Sequence, residues 1–267
     1  MRRSMDYLTL NQTAWNHRTL EHLDSSFYDV DGFLAGNSSL QEIELADLEV
    51  KGKSLLHLQC HFGLDSLSFA RMGAKVTGVD LSDTAIHHAR RLAEACHLEA
   101  NFICSDLYQA GEKLQQKFDI VYTSYGVLCW LPDLRRWAEL IAESLQPGGQ
   151  FYMVEFHPVQ ALMEGYSYFA QQTPDVEEEG TYTENASDTK HTMVTWPHSL
   201  ADVVNALIGV GLKIDAIQEF PFSPYDAFDN LVSGESLGLS SDRPRYYQLH
   251  QGKPIPMVYS LSATKPR

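Results

Sequence analysis

Asp80 ends a short apolar run twenty residues after Cys60, and a carboxylate there suits hydrogen bonds from both hydroxyls of a ribose. The segment leading to it, Lys53 to Asp80, reads as strand, tight turn, helix and second strand. Those are the parts that bring backbone N–H groups close to a nucleotide. The dinucleotide fingerprint G-x-G-x-x-G is not present, since only Gly63 of its glycines could be claimed, and this disfavours a nicotinamide oxidoreductase. Farther along, Glu155 and His157 lie on one side of an extended run by simple alternation. A histidine titrates near neutrality and suits a proton acceptor, with Glu155 orienting it or binding a substrate. The alternative is that both tie down the segment starting at Pro158. The acidic run Glu177-Glu178-Glu179, with Asp175, has no His or Cys at ligand spacing, so a solvated loop and no metal are expected. Cys60 has His61 beside it, but no triad-like partner spacing supports a nucleophile.

Composition bounds these readings. A chain of 267 residues with 44% hydrophobic and 21% charged residues suffices for one α/β domain with elaborations, or for two small domains. Twenty Lys and Arg against 35 Asp and Glu give a net charge of −15, which argues against a nucleic-acid partner, because cationic contacts to phosphates drive that binding. The short basic clusters Lys51/Lys53 and Arg90/Arg91 read as solvated surface. No apolar stretch approaches the roughly 20 residues of a membrane-spanning helix. Met1-Arg2-Arg3 is followed by Asp6 and no apolar run, so no secretory signal is expected. The four cysteines (Cys60, Cys96, Cys104, Cys129) show no CxxC spacing, which predicts free thiols and a cytoplasmic location.

The elements that must position these residues alternate from about residue 50. Strands are predicted at 54–58, 75–79, 101–104, 118–124 and 150–156. Helices are predicted over 64–72, from a Ser82-Asp83 cap to about 97, and from Pro132-Asp133 to 145. That order implies a parallel, doubly wound sheet. The pattern breaks at Pro158 and resumes with a helix over 199–210 and a strand over 212–220. A last strand, 255–263, is reached through a Gly/Pro/Ser-rich connection without a helix, and so runs antiparallel to its neighbour. The first 45 residues, with Trp15, Tyr28 and Phe33, read as a helical cover.

Five segments in register resemble the motifs of class I S-adenosylmethionine-dependent methyltransferases. LLHLQCHFG at 55–63 resembles the first motif and VTGVDLS at 76–82 the second; CSDL at 104–107 resembles the motif after the third strand. FDIVYTSYGVLCWLPD at 118–133 and LQPGGQFYMVEF at 145–156 resemble the fourth-strand motif and the helix-turn-strand that follows. LHLQCHFG is also similar to the first motif of one methyltransferase subgroup. The resemblance implies an α/β fold: a doubly wound, mainly parallel seven-strand sheet with an antiparallel last strand. To this are added an N-terminal cover (1–45) and an insertion at 158–198 after the fifth strand, within a methyltransferase domain over 46–267.

It also implies S-adenosylmethionine as cofactor and S-adenosylhomocysteine as product. Asp80 would serve as the ribose acid and Asp106 would meet the adenine amino group. Gln59, Cys60, His61, Gly63, Leu81, Ser105, Leu107 and Ser124 would line the same site, with Trp15 closing over it. Where the family has an acid and two glycines, this chain has His57, Gln59 and His61. His57 reads as a core-edge histidine or a cofactor contact, and His61 as a cofactor-side residue or one packed on the cover. The two side-chain-bearing loop residues must avoid conformations open only to glycine.

The acceptor would sit above the C-terminal ends of the strands, where the resemblance turns Glu155 and His157. Tyr28, Tyr125, Trp196 and Tyr225 are the candidate wall residues, and a small molecule is the expected acceptor. A non-catalytic S-adenosylmethionine-binding sensor or partner subunit stays open beside the enzyme reading. Methyl transfer is an in-line displacement, so the protein needs chiefly to align the acceptor and exclude water.

Overall fold

The structure is a computed structural model that describes residues 6–267, so Met1-Arg2-Arg3 lies outside the described residues. Seven strands form one sheet in the order β3-β2-β1-β4-β5-β9-β8. They are β1 (Ser54–Leu58), β2 (Lys75–Asp80), β3 (Ala100–Cys104), β4 (Phe118–Ser124), β5 (Leu145–Phe156), β8 (Lys213–Phe220) and β9 (Val258–Thr264). The first five pair parallel, and β9 runs antiparallel between β5 and β8. This is the expected sheet, antiparallel last strand included.

Both faces of the sheet are covered, which is why β1 and β4 are almost continuously apolar. Alternation along β4 sends Val121 towards Trp137 and Ile141 of α6 (Leu134–Ser144), and Ile120 with Tyr122 to the opposite face. There they meet Phe69 of α4 (Leu64–Arg71) and Ile43 of α3 (Glu42–Asp47). Helix α5 (Asp83–Ala95) buries Ala85, Ile86, Ala89, Leu92 and Ala93, one stripe at helical spacing, and Ser82 caps it by accepting from the Ala85 N–H at 3.0 Å. Ser199 caps α8 (Leu200–Gly209) in a reciprocal box with Asp202.

Three predictions needed adjustment. Strand β5 starts at Leu145, before the Pro147-Gly148-Gly149 turn, because Gly148 N–H and Gly149 C=O pair with Lys265. The acidic segment expected as a solvated loop is a strand, β6 (Asp175–Glu179), paired antiparallel with β7 (His191–Thr195). Its β-branched partner strand supplies the ladder that the carboxylates alone would not hold. The connection before β9 also contains two short ribbons, 232–233 with 246–247 and 249–250 with 253–254.

The β6–β7 hairpin forms a roof together with α1 (Tyr7–Leu23). Asn11 exchanges hydrogen bonds with Val194 in both directions at 2.9 Å, and Arg18 donates to Gly180 C=O at 2.5 and 3.1 Å. Helices α2 (Val30–Leu34) and α7 (Pro158–Met163) flank this roof. Among the described residues no helix is long and apolar enough to cross a membrane.

Candidate active site

A cleft of about 1170 Å³ opens at the C-terminal ends of β1, β2, β4 and β5, beneath the α1–hairpin roof. The cofactor-side and acceptor-side candidates all border it: Trp15, Tyr28, Gln59, Cys60, His61, Gly63, Asp80, Leu81, Ser105, Asp106, Leu107, Ser124, Tyr125, Glu155, His157, Trp196 and Tyr225. Their local settings differ, and those settings limit what each can do.

The loop after β1 turns through left-handed backbone at Gln59 (φ 55°), His61 (φ 52°) and Gly63 (φ 82°). The first two sit near the left-handed minimum that an L-residue reaches for about 1–2 kcal/mol. The turn of a glycine-rich loop is thus kept without its glycines. Gly63 is a different case, because a Cβ there would lie 2.8 Å from Phe102. Gln59 donates to Val127 C=O at 2.9 Å, while its Oε1 is buried with no partner. Cys60 is a buried thiol that desolvation holds well above its ordinary value, so it stays protonated and poorly nucleophilic.

Asp80 receives the loop. Its Oδ2 accepts from the His61 N–H at 2.7 Å and its Oδ1 from the Ser82 N–H at 2.8 Å. Burial raises the carboxyl to about 6, against those N–H donors that favour its charged form. Helix α1 closes beside it. Gln12 donates to Leu81 C=O, and Asn16 bonds both Ser82 and Asp83, at 2.6–2.9 Å. Asp106 caps the short 3-10 turn 107–112 through the Tyr108 N–H, and the Ser105 hydroxyl is buried without a partner.

His61 does pack against the cover, as one reading of the sequence held. Its Nε2 lies 2.9 Å from His22 Nδ1, and His22 Nε2 lies 2.5 Å from Thr181 Oγ1. Burial pushes both histidines down, His22 to about 3, so the pair is neutral near pH 7. Trp15 meets His61 and Trp130 edge-on at 5.3 Å in each case, and the Arg18 guanidinium lies over the rings of Trp15 and Trp130. His57 is satisfied by the hydroxyls of Ser66 and Ser124, and burial lowers it to about 3.

The acceptor-side candidates divide. Tyr125 and Tyr225 meet at 5.0 Å, and Phe27 stacks on Tyr225 at 5.6 Å. The Tyr28 hydroxyl lies 2.5 Å from that of Tyr182. These form one aromatic wall. Trp196 stands apart from it: its ring packs on Tyr7 at 5.0 Å, and its backbone N–H donates to the Cys129 C=O at 2.8 Å.

Glu155 and His157 are both engaged. Glu155 accepts from the backbone N–H groups of Gly126, Val127, Leu128 and Phe156. His157 accepts from the Val159 N–H at Nδ1, capping α7, and its Nε2 donates to Glu219 at 2.8 Å. Neither His157 nitrogen keeps a lone pair for an acceptor's proton.

Sequence reasoning passed over His22, Arg18, Asp65, Glu44 and Tyr182. Asp65 carried the one local signal, a carboxylate two residues after the loop's last glycine at a helix start. The others meet the cleft only through pairings distant in the chain.

Comparison with known proteins agrees with this geometry. Residues 55–149 match the family model described as a methyltransferase domain. A ubiquinone biosynthesis O-methyltransferase of Coxiella burnetii is 35% identical over 121 residues, 45% of this chain and 50% of that protein. A like-named protein of Idiomarina loihiensis is 29% identical over 135 residues, 49% of this chain and 55% of its own. The chain therefore spans about half the length of the curated relatives it matches. An S-adenosylmethionine-dependent methyltransferase structure from Mesorhizobium loti superposes with a TM-score of 0.55 at 22% identity, covering 86% of this chain and 99% of that one. One from Clostridium acetobutylicum gives 0.58 at 13% identity, covering 96% and 99%. With its strand order, its antiparallel last strand and its glycine-poor but left-handed first loop, this chain has the class I S-adenosylmethionine-dependent methyltransferase fold.

Proposed function

We propose that this protein transfers a methyl group from S-adenosylmethionine to a small-molecule acceptor held under the α1–hairpin roof. The observation that carries this reading is Asp80. Two backbone N–H groups fix its carboxylate at the cleft, and an ionised carboxylate has about four acceptor positions. The remaining two suit a pair of ribose hydroxyls. The buried, partnerless Ser105 hydroxyl and Gln59 Oε1 on the same cleft are a further match, since orphaned polar atoms of this kind want ligand partners.

Bound here, S-adenosylmethionine supplies an electrophilic methyl group on a sulfonium. Asp80 would hold the ribose, while Asp106, Ser105 and Leu107 would frame the adenine end with Leu81. Gln59, Cys60, His61 and Gly63 form the floor, and Trp15 closes it against water. Tyr28, Tyr125 and Tyr225 wall the acceptor space. Because its N–H contacts commit Glu155 to the 126–128 loop, and His157 caps α7, we assign both to positioning.

Calorimetric titration with S-adenosylmethionine, S-adenosylhomocysteine and NAD tests the reading. Binding of the first two, followed by product from labelled methyl donor in an acceptor screen, is the expected result. Binding of NAD alone overturns it, and binding of the methyl donor with no product across the screen favours the sensor reading. Asp80→Ala should weaken S-adenosylhomocysteine by about 1–3 kcal/mol in a variant that unfolds normally. The pH dependence has a definite sign. A protonated Asp80 offers one acceptor position fewer and an unwanted donor, so affinity should decline as pH falls through about 6. A dissociation constant unchanged between pH 5 and pH 8 would detach Asp80 from the ligand.

A further inference from the structure

Arg18 is a buried cation whose hydrogen-bonding capacity is only partly used. Its side chain is 8% exposed and borders the cleft. Nε and Nη2 both donate to the Gly180 C=O, at 3.1 and 2.5 Å, and among the described residues Nη1 has no hydrogen-bond partner. A guanidinium has five N–H donors in a rigid fork. The carbonyl occupies its side edge, one N–H from Nε and one from Nη2. At the end edge one N–H of Nη1 and one of Nη2 run parallel, and that pair matches the two oxygens of a carboxylate.

The fold itself supplies no such anion. Among the described residues the one carboxylate within 4.0 Å is Glu179, whose Oε2 stands at that distance from Nη2, beyond hydrogen-bond reach. The rings of Trp15 and Trp130 give cation–π attraction, which is not a counter-charge. Burial works against the charged form of Arg18. A charge held out of water is costly until an anion pairs with it.

Helix α1 turns different faces to the two halves of the cleft. Gln12 and Asn16 bond Leu81, Ser82 and Asp83, next to the Asp80 carboxylate. At 3.6 residues per turn, Arg18 stands roughly 120° and 160° around the helix from those two. One turn farther along its own side, His22 meets the rings of Tyr28 at 4.8 Å and Tyr182 at 4.9 Å. Tyr182 packs on Phe27 at 5.3 Å, and Phe27 stacks on Tyr225. Arg18 therefore stands with the aromatic wall. Carboxylates dominate the charged lining of the rest of the cleft, and its one other lysine or arginine among the described residues, Lys190, is exposed. An anion entering the cleft has one buried cation to meet.

We infer that the acceptor is an aromatic carboxylic acid, its ring lying along the tyrosine wall and its carboxylate paired with the free edge of Arg18. That this acid is a substrate rests on the methyltransferase reading above; the carboxylate site rests on the arginine and the wall alone.

Calorimetry on the full chain saturated with S-adenosylhomocysteine tests the site with benzoate and benzamide, which share a ring and differ in charge. Wild type should bind benzoate about 10- to 100-fold more tightly than benzamide. Arg18→Gln, which keeps an N–H for the Gly180 carbonyl, should bring the two affinities within about threefold. Arg18→Lys, a charge without the fork, should fall between. S-adenosylhomocysteine should bind all three proteins within about twofold, which also shows that the variants are folded. Equal affinities of wild type for benzoate and benzamide would overturn the proposal. So would an unchanged ratio in Arg18→Gln, which leaves Arg18 a brace between α1 and the hairpin. Loss of S-adenosylhomocysteine in Arg18→Gln with 5′-methylthioadenosine binding kept would assign the guanidinium to the methyl donor's carboxylate, and equally overturn it. Wild type that binds neither S-adenosylmethionine nor S-adenosylhomocysteine, yet prefers benzoate, would sink the methyltransferase reading and leave the carboxylate site standing.

Discussion

Glu155→Ala is expected to destabilise the protein by about 3–5 kcal/mol, visible as a large drop in denaturant midpoint. The side chain is 5% exposed and accepts from four backbone N–H groups, three of them consecutive in the 126–128 turn. Removing the carboxylate leaves those donors buried, and each unmet donor costs about 1–3 kcal/mol, less what a trapped water restores. Glutamine, with fewer acceptor positions and two N–H donors of its own, should fall between wild type and alanine. The same loss would release Gly126–Leu128, and with it the Val127 carbonyl that holds Gln59 and the Gly126 carbonyl that holds the Trp130 indole. If instead Glu155→Ala unfolds within about 1 kcal/mol of wild type while methyl transfer collapses, Glu155 belongs to the chemistry and the clamp is wrong.

The second large effect concerns Glu44. This side chain of α3 is 1% exposed, and its carboxyl is met by the hydroxyls of Tyr122 at 3.1 Å and Tyr125 at 3.3 Å. Burial, then the nearby Asp65 charge, raises it to about 7 against an ordinary 4.5. In the unfolded chain the group ionises near 4.5, so the folded protein binds an extra proton between the two values. Stability is therefore full below about pH 4.5 as far as this group is concerned, and is lost as pH rises through 7. The shift corresponds to about 3 kcal/mol as an upper figure. Thermal unfolding should show Glu44→Gln more stable than wild type at pH 8 and near it at pH 5, since glutamine still accepts from a tyrosine and never ionises. A constant gap between the two proteins across that range would mean that Glu44 is not titrating in the fold. Glu44 also backs Tyr125 in the aromatic wall of the cleft.

Much of the fold was legible because its signals are local. Strands 54–58 and 118–124 are apolar runs that a two-sided sheet demands, and both end where the pattern says they should. Ser82 and Ser199 announce their helices because a cap needs only a hydroxyl three residues before an N–H. The acidic strand β6 was not legible, since its ladder comes from residues twelve to twenty positions away. Asp80 was readable for the same reason as the caps: strand end, turn and helix start lie within one stretch of chain.

The roles of Glu155 and His157 were not readable. Alternation put both on one side of the chain, but whether Glu155 is free depends on N–H donors from the loop after β4, and whether His157 is free depends on the Glu219 carboxylate of β8. The neutral His22–His61 pair joins residues 39 apart, and Glu44 meets Tyr122 and Tyr125 at separations of 78 and 81. By itself, then, the sequence determined the sheet and the carboxylate that ends its second strand at the cleft, because periodicity, caps and turns act over a few residues. Tertiary structure decided which polar groups still have a lone pair or charge to offer a ligand, because desolvation and hydrogen-bond saturation are set by neighbours that only the folded chain assembles.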